Sequence, residues 1–261
     1  MLASMKIKLL AALLVCALGA MHSAQAYTLY DSFYVASPND PSVTGLIVSF
    51  PLNVTDQRVQ QSGASTSQFD VSAAADALAT SMSLNLSAAL RMEIPDVSCG
   101  GSFCAPPQGQ SFTAVGIYFH LDETTGYTLS GSVFAPSPAD LIPGVLGTSN
   151  VTLYSFIGDV GTLQGDLVAL RAFDHHGTES DSPLAFFAAG VLEAGDYVLR
   201  GHAAMSNQAV PANSDLATSI FGMSASSVQL TFSPVPLPGA LWLLVSGIGG
   251  IAAFRRSPNL A

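Results

Sequence analysis

Between Tyr27 and Pro234 the chain alternates apolar and polar residues with period two over most of its length. In Met82-Ser-Leu84-Asn-Leu86-Ser-Ala88-Ala-Leu90-Arg-Met92-Glu-Ile94, apolar residues fill all seven even positions and mostly polar ones lie between. An extended strand puts those even positions on one face, whereas a helix scatters them around its axis. The same pattern sets Val115, Ile117, Phe119 and Leu121 against Gly116, Tyr118 and His120. Asp122-Glu-Thr-Thr-Gly126 interrupts it, and Tyr127, Leu129 and Val133 resume it, which predicts a hairpin with a Gly-containing loop. Further strands are predicted over 28–35, 43–53, 150–157, 163–173, 184–191, 196–204 and 228–232. The alanine-rich stretch from Ala73 to Ala79 is predicted as a short helix. Ser137 to Gly147, with Pro138 and Pro143, is predicted as a long loop.

Many short strands separated by Gly, Pro, Ser and Asn predict an all-β domain, two antiparallel sheets packed as a β-sandwich of jelly-roll-like or immunoglobulin-like type. No internal repeat points to a solenoid. Leu192-Glu-Ala-Gly195-Asp-Tyr197-Val-Leu199 resembles the Leu-x-Ala-Gly-x-Tyr turn and strand near the end of many exported sandwiches. That resemblance bears on fold and not on activity.

The two ends follow different rules. Lys6 and Lys8 precede an apolar run from Leu9 to Ala20, and Ala24-Gln-Ala26 completes an Ala-x-Ala site. This is the layout of a secretory signal peptide over 1–26, with cleavage predicted between Ala26 and Tyr27. Cys16 lies mid-run behind Val15, which argues against a lipoprotein site. At the other end, 234–261 carries Val235-Pro236-Leu237-Pro238, sixteen uncharged residues from Gly239 to Phe254 that include Trp242, and then Arg255-Arg256. As a helix those sixteen residues reach roughly 24 Å, short of the ~30 Å hydrocarbon core. Thinning of the bilayer allows such a span to insert. Trp242 suits the headgroup boundary, and the Arg pair stays cytoplasmic, leaving 27–233 outside.

The order proline motif, apolar run with Trp and Arg-Arg resembles the PEP-CTERM sorting signal in its VPLP variant; Leu237 stands where the name-giving pattern has Glu. The resemblance covers only the tail. It implies recognition by an exosortase, a membrane-embedded cysteine protease, cleavage near Pro236–Pro238, and delivery to the surface or extracellular polymer matrix of a Gram-negative bacterium. A permanent single-span anchor would have nearly the same sequence. A glycolipid-anchor signal is disfavoured because its tail ends apolar.

Loss of both ends removes Lys6, Lys8, Arg255 and Arg256, leaving four basic residues against eighteen acidic ones and a net charge near −14. Such a domain is unsuited to nucleic acid, whose affinity rests on neutralising phosphates. Cys99 and Cys104, in Cys-Gly-Gly-Ser-Phe-Cys, read as a disulfide in an exported chain. That small ring is worth about 2 kcal/mol by the chain-entropy estimate.

Candidate chemistry is sparse. Asp174, His175, His176, Glu179 and Asp181 form the densest polar cluster, with imidazoles suited to zinc and carboxylates to calcium. Their spacing lacks the His-Glu-x-x-His arrangement, and a charged inter-strand loop explains them equally. His120 and His202 read as structural or solvent-facing residues. No Gly-x-Ser-x-Gly elbow, Walker loop or dinucleotide loop is present, and Glu93 with Asp96, or Asp122 with Glu123, are too close in sequence to flank a glycosidic bond. No catalytic residue and no cofactor are expected. The leading expectation is a non-catalytic structural or adhesive component of the exopolysaccharide matrix. A carbohydrate- or Ca²⁺-dependent binding module and a secreted hydrolase are the alternatives. Expected partners are signal peptidase and exosortase during processing, the membrane through the uncleaved tail, and extracellular polysaccharide.

Overall fold

The computed structural model describes residues 27–38, 46–47, 49–62, 65–94, 107–136, 145–159, 164–176, 182–207 and 218–234. The predicted signal segment with Ala26, Cys99 and Cys104, Glu179 and Asp181, and the sorting tail from Val235 onward lie outside them.

Twelve strands are described: β1 (Thr28–Pro38), β2 (Leu46–Ile47), β3 (Leu52–Ser62), β4 (Ser65–Leu78), β5 (Ser81–Ile94), β6 (Gln110–Leu121), β7 (Thr125–Phe134), β8 (Leu146–Asp159), β9 (Gln164–His176), β10 (Leu184–Leu192), β11 (Gly195–Ser206) and β12 (Thr218–Pro234). They form two six-stranded sheets. Sheet A has the order β2-β1-β6-β11-β8-β9 and sheet B the order β10-β7-β12-β5-β4-β3. Every described pairing is antiparallel. The sheets pack face to face, β6 over β4 and β5, β11 over β5 and β12, and β8 over β12 and β7. The predicted all-β architecture of two antiparallel sheets is therefore observed.

The alternation read from the sequence becomes the inner faces. Met82, Leu84, Leu86, Ala88, Leu90 and Met92 are buried along β5, while Asn85, Arg91 and Glu93 are exposed. Val115, Ile117, Phe119 and Leu121 of β6 join Leu129, Leu153, Leu199 and Leu230 in the main core. A fully buried side chain of this size contributes about 1.5–3 kcal/mol relative to exposure. Toward one end the interior changes character. Phe69, Leu90, Met92, Val145 and Met205 form a second apolar cluster, accompanied by buried Ser67, Ser111, Ser224 and Asn207. There the Asn207 amide accepts from the Gly109 N–H at 2.6 Å and donates to the Pro107 carbonyl at 2.9 Å, fixing the approach to β6.

Four expectations need correction. Ala73 to Ala79 is not helical: through Leu78 it is the second half of β4, with Phe69, Val71, Ala73 and Ala75 buried in alternation. Pairing to β3 on one side and β5 on the other outweighs the helix propensity of alanine. The strand expected over 43–53 is instead the two-residue β2 and the start of β3, which belong to different sheets. The loop expected up to Gly147 ends earlier, because β8 begins at Leu146.

The fourth is the hairpin predicted across Asp122–Gly126: β7 does resume at Thr125, but β6 lies in sheet A beside β1 and β11 and β7 in sheet B beside β10 and β12, so the Gly-containing turn carries the chain from one sheet to the other and joins no hairpin. The β10–β11 turn explains its own sequence. Gly195 has a φ of +154°, which L side chains rarely adopt. The Tyr197 hydroxyl donates to the Glu193 carbonyl at 2.8 Å, and its ring stacks on Phe119 at 5.6 Å.

The strand ends are sorted by direction. Tyr27 and Pro234 lie at one end of the sandwich, with the turns Leu78–Ser81, Leu121–Thr125 and Leu192–Gly195. The strand ends that flank 95–106, 137–144, 177–181 and 208–217 lie toward the other.

Candidate binding face

The polar cluster on β9 is divided by the strand itself. Successive side chains point to opposite faces, so Asp174 and His176 are exposed while His175 is buried at 1% exposure. The His175 Nδ1 accepts the Ala135 backbone N–H at 3.2 Å, and its ring lies beside Phe134. This histidine satisfies a buried backbone donor where β7 ends. Among the described residues no group of three or more His, Cys, Asp or Glu side chains is placed to hold a metal ion. Asp122 and Glu123 sit side by side, exposed, on the β6–β7 turn.

The outer face of sheet A is aromatic rather than open. Tyr118, expected opposite the core, is itself buried with Phe156 and Val198, and Phe33 and Tyr154 pack against them. His120 is half-buried; its Nδ1 lies 2.7 Å from the Asp196 carboxylate and its Nε2 3.6 Å from that of Asp122. His202 lies between Phe112, with ring centroids 4.9 Å apart, and Asn150, whose amide is 3.5 Å from Nδ1. Burial, and secondarily the Arg200 guanidinium, lowers the His202 pKa to about 4. Burial also raises the Tyr118 hydroxyl above its ordinary value. These groups brace one another.

The outer face of sheet B is different. Across β4, β5, β12 and β7, registered pairs put small polar residues side by side, including Ser72 with Ser87, Asn85 with Ser227, Ser227 with Ser132, Ser83 with Gln229, and Gln229 with Ser130. Ser72 and Ser87 share a hydroxyl–hydroxyl hydrogen bond of 2.7 Å, and Ser227 Oγ donates to Asn85 Oδ1 at 2.7 Å. Because Ala74, Ser87, Ala225 and Ser227 are short, the centre of the sheet is a shallow groove of about 390 Å³, walled by Phe134, Pro183 and Met223. A second depression of about 390 Å³, over Ser83, Ser130 and Gln229, shares Asn85 and Ser227 with it. Both are broad and open. Gly131 at the floor of the second is sterically required, since a Cβ there would come within 2.0 Å of the Ser227 carbonyl.

Each serine offers a donor and an acceptor, and each amide offers both. The face therefore presents hydroxyls and amides without a formal charge in the grooves, beside apolar walls. None of these residues was singled out as a ligand set by the sequence, because each is an ordinary outward position of its own strand. Only the register places them together. The chain matches no protein-family model and no curated protein. Among the described residues no helix is long and apolar enough to cross a membrane.

Proposed function

We propose that this chain is an exported, non-catalytic component of a bacterial surface or extracellular matrix, and that the outer face of sheet B is where it contacts polysaccharide. The observation that carries the reading is the pair of joined grooves lined by Ser72, Ser83, Asn85, Ser130, Ser132 and Ser227. A hydroxyl-rich polymer can exchange its water hydrogen bonds for bonds to this array with little net loss. The apolar walls Phe134 and Met223 can cover the aliphatic faces of sugar rings. A strongly acidic molecule with uncharged grooves suits a neutral polymer better than a polyanion.

Export and sorting rest on the sequence of the two ends, and the fold is compatible with them. Tyr27 and Pro234 stand at the same end of the sandwich, an arrangement that suits attachment of both predicted signals to one membrane.

The test is retention of the purified protein on immobilised neutral exopolysaccharide, compared with the Ala74→Phe variant. Ala74 lies on the outer face of β4 and lines the groove, so a phenyl ring fills the trough without entering the core. Binding should fall at least about tenfold, the effect expected when a contact worth some 1–2 kcal/mol is blocked. Equal retention of both proteins, or none by the wild type, would reject the proposed face. Retention abolished by EDTA would transfer the reading to a cation-dependent module.

A further inference from the structure

Sheet edges carry unpaired backbone donors and acceptors, and proteins guard them with charge, bulges or brevity. Three of the four edges here follow that rule. β3 carries Asp56 and Arg58; β9 carries Asp166, Arg171 and Asp174 with a register shift opposite Leu153/Tyr154; and β2 is two residues long. β10 does not follow it. Leu184-Ala-Phe-Phe-Ala-Ala-Gly-Val-Leu192 has no charge and no proline, and its register with β7 is unbroken from Leu184 to Leu192. Among the described residues its other edge has no strand partner. Phe187 is 70% exposed, Val191 55% and Leu184 45%. Inward, Phe186 stacks on Phe173 of β9 at 4.1 Å, so this side of the sandwich is already closed beneath the open edge.

We propose that β10 is the docking edge for a second copy of this chain, the two β10 strands pairing antiparallel about a twofold axis at Ala188. The strand is sterically complementary to itself in that register. Phe187 faces the second copy's Ala189, Ala185 faces its Val191, and Phe186 faces its Gly190, so bulk meets space in each of these pairs. The two ends meet as Leu184 with Leu192. Such an interface is isologous and closed, and joins the two six-stranded sheets into one of twelve. Charge favours this occupant. The molecule is strongly acidic, and along β10, unlike the long edges β3 and β9, two copies align with no charged side chain between them. An edge with no charge, in turn, offers nothing to select a charged peptide. The twofold axis runs perpendicular to the sheet, so both polar faces point the same way. The association itself does not depend on a ligand.

Sedimentation velocity on protein purified from cells making the full chain, without polysaccharide, should show a concentration-dependent dimer. Phe187→Lys, at an exposed position, should keep the strand circular-dichroism spectrum and weaken dimerisation by roughly tenfold or more, because two phenyl contacts are lost. Ala188→Cys should form an intermolecular cross-link on mild oxidation, mapped by peptide mass to position 188 of both chains. A monomer at every concentration, a dimer indifferent to Phe187→Lys, or a dimer that Ala188→Cys does not cross-link would overturn the proposal. Because no glycan is present, these outcomes are separate from success or failure of the polysaccharide assay.

Discussion

His202 shows how a residue's environment decides between readings that its sequence position leaves open. Its place on the polar phase of β11 left it structural or solvent-facing, and the structure gives the first: Phe112 and Asn150 cover it, and its pKa is lowered to about 4 by burial and by Arg200. Histidine in the unfolded chain titrates near 6.5, so the folded state holds this ring neutral while the unfolded state protonates first. The resulting stability is fully present above pH 6.5 and is lost as the pH falls from there through about 4. Urea unfolding across that window should show an acid-side loss on the order of 3 kcal/mol in the wild type that is absent in His202→Gln. Identical slopes in the two proteins would contradict the assigned environment. Other single residues were just as hidden in the sequence. His175 was visible as a candidate ligand but not as the acceptor for Ala135, and Asn207 gave no signal that it pins Pro107 and Gly109. Both roles depend on a partner distant in sequence.

Elements were legible in proportion to the contrast between their two faces. β5 and β6 alternate large apolar with polar residues, and both were recognised with the correct inner face. β4 was missed: its first half carried no prediction, and its second was read as helical because Ala73-Ala-Ala-Asp-Ala77 puts alanine on both faces, which erases the period. β3 was cut short for the opposite reason. As an edge strand, with most positions exposed, it has few apolar residues to mark it. The β4 assignment makes a direct prediction. Ala74 lies on the outer face of this strand between Asn53 and Asn85, so Ala74→Thr replaces a helix former by a strand former. Unfolding free energy should rise by up to about 1 kcal/mol, as read by urea titration. A loss of similar size is what a helix would give. The binding face illustrates a further limit. Ser83, Asn85, Ser130 and Ser227 come from three strands, and their adjacency exists only once β12 is inserted between β5 and β7.

At the scale of the molecule, an antiparallel sandwich of large acidic excess was visible from pattern and composition, but its polarity was not. The first described residue is the informative one. Tyr27, predicted to be the new N-terminal residue, is buried against Phe119 and Phe232, and its hydroxyl donates to the backbone carbonyls of Leu78 and Ser81. Burial and the nearby Asp76 push that hydroxyl up to about 12, so it remains a donor throughout the physiological range. Phe232 lies two residues before Pro234, where the described chain ends. One aromatic contact of 5.1 Å thus ties the start of the folded domain to the strand that leads into the predicted sorting signal. Cleavage after Ala26 would leave Tyr27 able to dock, and cleavage within 236–238 would leave β12 whole.

Intact-mass spectrometry of protein recovered from the extracellular matrix tests that account most directly, with protein from cells lacking the sorting protease run alongside. The expected species begins at Tyr27, ends near Pro236–Pro238 and is lighter by two hydrogens for a Cys99–Cys104 bond, while the protease-deficient cells retain the tail. Matrix protein that still carries Trp242 and Arg255-Arg256 would contradict it.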